Sequence, residues 1–356
     1  MKKWMYVTAA LVGLALTGCN TMYGEQEPNL ERGLPWESVP PESRGIRSQD
    51  LARMVEHVYQ SNVAIDSIVI YKDGTVPFEM YFNQYDSATS HNLKSTSKGV
   101  ISALVGIAIR EGFIESVETP VLSYFPEHPD DPRMDELTIR DLLTMSAGLR
   151  WNENDLNSMY TFFVSKRIAE RVLGQPFDEE PGSSFTYNTG LTHLLSVIIS
   201  RASGMSTIDF ARRFLFEPLE IQNVQWSVDR NGVQIGGSEL FLTPRAMTKF
   251  GVLYLQNGVY DGQQVIPAEW VRESTTTQIE GSFHGSRIEY GYLWWLDVGN
   301  GLFTYLDGED VFLAMGVHGQ RILVHRDLNA VVVITADQGD ESQVDILIRD
   351  FILPAL

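Results

Sequence analysis

The sequence predicts an α/β fold: an antiparallel sheet flanked by N- and C-terminal helices, with a mostly helical part inserted between its strands. Three observations predict it. The globular region opens helix, strand, strand. Its tail is a series of short β-branched segments that closes on a helix. The stretch between them carries helical rather than alternating periodicity. At 356 residues, with 44% hydrophobic and 21% charged side chains, the chain can bury a sizeable core and has the composition of a globular protein.

Taken in order, Ser48 reads as the N-cap of a helix to about Gln60, with Leu51, Met54, Val55 and Val58 on one face. Residues 67–71 and 76–82 are β-rich and separated by Lys72-Asp73-Gly74-Thr75, a hairpin signal. A helix is expected to begin at Ser95 and to end near Gly112. Further helices are predicted over 138–146, 157–173, 191–203, 208–216 and 243–256, the last with Pro244 in its first turn. Strands are predicted over 291–296, 311–315, 321–325 and 330–335, and a closing helix over 344–353. The α/β part is therefore 42–114 plus 275–356 and the helical part 115–274, with an active site expected between them.

A formal net charge of −19 excludes nucleic acid and anionic membrane surfaces as partners recognised through charge. The N-terminus has the parts of an export signal: Lys2 and Lys3, then an apolar run from Trp4 to Leu16 too short to span a bilayer. Leu16-Thr17-Gly18-Cys19 resembles the bacterial lipoprotein tetrad, in which the cysteine becomes the lipid-bearing N-terminus. Residues 1–18 are thus expected to be a signal peptide and 19–41 a tether. Cys19 is the only cysteine, so the body of the protein is stabilised by packing rather than by a disulfide. The expected location is the envelope of a Gram-negative-type bacterium. Asn20, where an aspartate would favour inner-membrane retention, points to a lipid anchor in the outer membrane, facing the periplasm.

The chemistry starts at Ser95-Thr96-Ser97-Lys98. Residues three apart in a helix share a face, so a hydroxyl lies beside an amine. The helix N-terminus and the apolar neighbours Val100, Ile101, Leu104 and Val105 disfavour the charged ammonium. A lysine kept neutral can take the serine proton and activate the nucleophile. Alone, a Ser-x-x-Lys match is common by chance. Two more stretches accompany it: Pro181-Gly182-Ser183-Ser184-Phe185-Thr186-Tyr187-Asn188-Thr189-Gly190, leading into an apolar helix, and Gly316-Val317-His318-Gly319-Gln320 at a strand edge.

In this order the three stretches resemble the motif pattern of penicillin-recognising serine hydrolases with a β-lactamase/transpeptidase-like fold, especially class C β-lactamase-like esterases, peptidases and amide hydrolases. Thr138 to Leu149, Leu242-Thr243-Pro244-Arg245 and Tyr290 to Trp295 are also similar to that family, and the resemblance runs from about Leu34 to the C-terminus. It implies that Ser95 attacks a carbonyl, Lys98 holds or accepts its proton, and Tyr187 relays that proton to the leaving group. A phenol can do this near neutral pH only if cationic neighbours lower its pKa. The resemblance also implies an oxyanion held by the backbone N–H groups of Ser95 and Gln320, and substrate contacts from Thr189, His318 and Gly319. No cofactor or metal is implied.

Two departures narrow the expected substrate. Tyr187-Asn188-Thr189 replaces the usual Tyr-x-Asn, and Val317-His318-Gly319 replaces the usual lysine-bearing third motif. A β-lactam carboxylate would then lack its ammonium partner, so weak or no β-lactamase activity is expected. The variants resemble most the 6-aminohexanoate-dimer hydrolase and esterase branches. The expectation is a serine hydrolase for a small ester or amide, of undetermined oligomeric state. The alternatives are a D-amino-acid peptidase on cell-wall fragments and a non-catalytic envelope lipoprotein. His318 and His325 lack the companions of a metal site, the acidic stretches 127–135 and 178–180 read as solvated loops, and only one of Trp294 and Trp295 can face a pocket.

Overall fold

The computed structural model describes residues 35–127, 131–165, 167–296 and 310–356, which belong to one compact unit. Cys19, the signal segment and most of the expected tether lie outside the described residues. Among those described, no helix is long and apolar enough to cross a membrane.

Helix α1 (Ser48–Gln60) buries Leu51, Met54 and Val58 and packs on the C-terminal helical segments. Its N-cap is Arg47 rather than Ser48; the Ser48 hydroxyl is engaged by the Glu42 carboxylate. Strands β1 (Ile65–Lys72) and β2 (Thr75–Tyr81) form the expected hairpin. The short β3 (His91–Asn92) then leads to a 3₁₀ turn, Lys94–Thr96, and to α2 (Ser97–Arg110). Ser95 therefore sits in the turn before the α-helix, not in its first turn. Helix α2 is buried nearly all round, as its apolar run requires, and packs against later helices and a sheet strand.

The middle of the chain supplies α3 (Pro132–Glu136), α4 (Ile139–Leu143), α5 (Leu156–Met159), α6 (Ile168–Leu173), α7 (Thr189–Ser203) and α8 (Thr207–Ala211). A Thr138–Asp141 capping box starts α4. The single helix expected over 157–173 is instead two short helices around a π turn, Tyr160–Ser165, broken at Arg167, whose ψ of 67° is not helical. A β-branched and aromatic run of low helix propensity accounts for the interruption. Strands β4 (Gln225–Trp226) and β5 (Leu240–Leu242) join β3 in a small sheet of order β3-β5-β4.

Helix α9 (Pro244–Leu255), capped by Thr243, packs on β1 and on the C-terminal strands. Helix α9, assigned from sequence to the helical part, therefore lies against the large sheet. A small hairpin, β6 (Val259–Tyr260) and β7 (Gln263–Gln264), precedes α10 (Ala268–Ser274). Strands β8 (Ile279–Phe283) and β9 (Ser286–Tyr290) follow. They escaped sequence reasoning because they form a half-exposed edge hairpin with charged cross-strand pairs such as Arg287–Glu280. Conversely, the strand expected over 291–296 is only β10 (Trp295–Leu296), because Gly291 to Trp294 turn back on themselves with Leu293 at φ +67°.

Strands β11 (Val311–Gly316), β12 (Gln320–His325) and β13 (Ala330–Ala336) complete an eight-stranded antiparallel sheet of order β2-β1-β13-β12-β11-β10-β9-β8. Strands β1, β12 and β13 are buried at every position. The chain ends in α11 (Ser342–Leu347), a π turn and α12 (Leu353–Ala355).

Candidate active site

The nucleophile turn hangs from the small sheet. Leu93 N–H donates to the Leu240 carbonyl, and the Asn92 side chain accepts from the Lys94 N–H at 2.9 Å. That bond accompanies Lys94 at φ +50°, a left-handed conformation uncommon for a side-chain-bearing residue, in the residue just before Ser95. Lys98 lies one turn on and donates to Ser95 Oγ at 2.9 Å, to Thr189 Oγ1 at 3.0 Å and to the Gly237 carbonyl at 3.0 Å.

Tyr187 comes from the loop before α7. Gly182 and Thr186 N–H donate to the carbonyls of Ser146 and Met145, both at 2.7 Å, so the 138–149 segment pins this loop. The Tyr187 ring stacks on Trp295 at 5.6 Å and lies 5.0 Å from Lys98 Nζ, a cation–π distance. Ser95 and Tyr187 open onto a cavity of about 420 Å³, whose walls include Glu153, Phe283, Trp295, Gly316 and Val317. Trp294, at the end of the turn before β10, packs in the core on Phe250 and Tyr254.

Burial lowers the Lys98 pKa to about 8, and the Glu153 carboxylate raises it part of the way back. At pH 7 only about one tenth of the side chain is then the neutral amine. The amine expected from sequence to be neutral is therefore mostly an ammonium at rest. The Tyr187 phenol differs from expectation as well. Burial pushes its pKa above the ordinary tyrosine value and the Glu153 carboxylate adds to this, while the Ser95 side chain pulls it down only in part. It is a neutral hydroxyl that keeps its proton at neutral pH, so the lowered pKa expected of a proton relay is not a property of the resting site.

Four residues expected at the substrate fall elsewhere. Thr189 links Lys98 to Glu153, donating to a carboxylate that also accepts from Thr189 N–H at 3.2 Å and from Trp151 Nε1 at 2.6 Å. His318, at φ +68°, pairs with Asp337 at 2.7 Å outside the cavity. Gly319 packs against Val344, and Gln320 continues the β11–β12 pairing opposite Gly316. The backbone that meets the nucleophile is that of Gly316. A Cβ added there would lie 3.1 Å from Ser95 N and 2.5 Å from the Leu93 carbonyl oxygen, so only glycine allows the approach. Sequence reasoning missed Glu153 and Arg321. The available signals were faint: Glu153 follows Trp151-Asn152 in a polar loop, and Arg321 is a lone charge opening an apolar strand.

A buried lysine beside a serine that faces a cavity, with a phenol next to the lysine, is an arrangement chemically capable of activating a hydroxyl. The chain belongs to the Beta-lactamase family, whose profile matches residues 51–355. It is a hydrolase of that fold, and it is similar to the 6-aminohexanoate-dimer hydrolase of Paenarthrobacter ureafaciens, with 23% identity over 289 residues that cover 75% of this chain and 71% of the relative. Among solved structures it resembles a family VIII carboxylesterase (TM-score 0.71, 15% identity, covering 90% of this chain and 99% of that one). A penicillin-binding protein homologue from Caulobacter crescentus is equally similar, with TM-score 0.71, 15% identity and the same coverage of 90% and 99%.

Proposed function

We propose that this protein hydrolyses small esters or amides through an acyl-enzyme on Ser95. The observation that carries the reading is the 2.9 Å contact between Lys98 Nζ and Ser95 Oγ on the wall of a cavity also lined by Tyr187. In the neutral form, Lys98 takes the proton as Ser95 Oγ bonds to the substrate carbonyl carbon, and the carbonyl π pair moves to oxygen. Collapse of this adduct breaks the bond to the leaving group, which takes a proton from Tyr187. Lys98 then reprotonates the phenolate, and water releases the acyl group by the reverse sequence.

The oxyanion donors in this reading are the N–H groups of Ser95 and Val317. Val317 replaces Gln320 because Gly316 and Val317, not Gln320, line the cavity beside the nucleophile. An envelope tether through Cys19 belongs to the same reading and is supported by the Leu-Thr-Gly-Cys tetrad alone. The decisive experiment is Ser95→Ala. It is expected to abolish cleavage of short p-nitrophenyl esters and labelling by a fluorophosphonate while leaving the thermal transition in place. Retained ester cleavage would refute the acyl-enzyme.

A further inference from the structure

Arg321 is 1% exposed and yet reaches the cavity wall. Its guanidinium donates from Nη1 to the Gly316 carbonyl at 2.9 Å and to the Gln320 carbonyl at 3.1 Å. From Nη2 it reaches Glu341 Oε2 at 3.0 Å and Asp345 Oδ1 at 3.4 Å. The other oxygen of the Glu341 carboxylate, Oε1, accepts from the His318 N–H at 3.2 Å.

The peptide between Gly316 and Val317 is planar and trans, so its carbonyl and its N–H point in opposite directions. Fixing the carbonyl on Arg321 therefore fixes the direction of the Val317 N–H. Glu341 clamps the next peptide along by its own N–H, so the turn is held on both sides of Val317. A cation on the carbonyl oxygen also draws electron density from the amide, which makes its N–H a stronger donor.

We infer that Arg321 is a positioning residue, held by Glu341 and Asp345, that aims and polarises the Val317 N–H toward the oxyanion formed at Ser95. The inference rests on the acyl-enzyme reading above. Arg321 does not touch the reacting atoms; it acts through one peptide group.

The test compares p-nitrophenyl acetate with its thiono analogue, whose sulfur is poorly held by N–H donors, in the wild type, Arg321→Met and Arg321→Lys. Complete loss of one oxyanion donor costs about 10²–10³-fold in kcat, so a misaimed donor is expected to cost about tenfold to a hundredfold in Arg321→Met, with KM within about twofold. The preference for the oxo ester is expected to fall with it. Arg321→Lys, which keeps a cationic donor to Gly316, is expected to recover part of that preference. If Arg321→Met does not fold, the preference is read from the lysine variant, which is expected to lie below wild type. An oxo-to-thiono ratio equal to wild type in every folded variant overturns the inference, whatever the absolute rates, because a purely structural role would slow both substrates alike. Undiminished cleavage by Ser95→Ala would instead remove the acyl-enzyme reading itself, so the two failures are distinguishable.

Discussion

Replacing Glu153 by glutamine probes the charge balance of the site directly. Glutamine removes the charge and keeps an oxygen for Trp151 Nε1 and the Thr189 N–H, while its amide nitrogen takes the place of the oxygen that accepts from Thr189 Oγ1. In the structure Thr189 Oγ1 accepts from Lys98 Nζ at 3.0 Å and donates to Glu153. Two hydrogen bonds through one hydroxyl separate the charges by roughly 5 Å. At an effective dielectric of about 20 their attraction is about 3 kcal/mol, or roughly 2 pK units. Removing it destabilises the ammonium, so the Lys98 pKa falls from about 8 to about 6. The neutral, proton-accepting fraction at pH 7 then rises from about one tenth to about nine tenths. The assay is kcat/KM from pH 5 to pH 9 for a neutral p-nitrophenyl ester, which has no ionisation of its own to confuse the profile. The acid limb is expected to move down by about two pH units, with a gain at pH 7 approaching ninefold if the plateau is unchanged. A limb that stays in place or moves up would refute Lys98 as the base under Glu153 control.

Two further outcomes are expected. Tyr187→Phe removes the proton donor but keeps the stacking on Trp295, so kcat should fall by about 10²–10⁴ with KM little changed, measured on esters with leaving groups of graded basicity; the loss should grow with that basicity. Gly106→Ala would place a methyl 2.3 Å from Trp270 Cγ where α2 crosses α10, and should cost about 1–3 kcal/mol in urea unfolding without a change in the pH of the acid limb.

Much of the molecule could be read from the chain because its signals were local. The β1–β2 hairpin, the C-terminal strands and the capped helix α9 follow from alternation, turn residues and a Thr-Pro start, and they lie within one or two residues of expectation. Ser95 and Lys98 meet because a spacing of three is a statement about one turn of chain. The β8–β9 hairpin was not legible because its buried face is short, Ile288 and Tyr290 with the half-buried Ile279 and Phe283, and is interspersed with Gly281, Ser282 and the charges Glu280, Arg287 and Glu289. The pKa values of Lys98 and Tyr187 were misjudged for a related reason. Burial sets the larger part of each shift, and Glu153, which opposes it at Lys98 and adds to it at Tyr187, arrives from 55 residues beyond Lys98 through a loop that carries no periodic signal.

The third motif shows how far matching letters can mislead. Aligned to a Lys-Thr-Gly pattern, His318 looks like a reduced substitute for a carboxylate-binding lysine. In the fold it leaves the cavity at a left-handed turn and faces Asp337. Arg321, the cation nearest that wall, is already divided between the Gly316 carbonyl and the carboxylates of Glu341 and Asp345. Glu153, Glu341 and Asp345 line the same cavity, and Arg321 is committed to the last two, so its guanidinium does not take the place of the ammonium that a β-lactam-directed site would offer a substrate carboxylate. Val317, 52% exposed on the rim, adds an apolar surface in its place. Neutral acyl groups need no such partner, and we therefore propose small esters and amides rather than penicillins as the substrates.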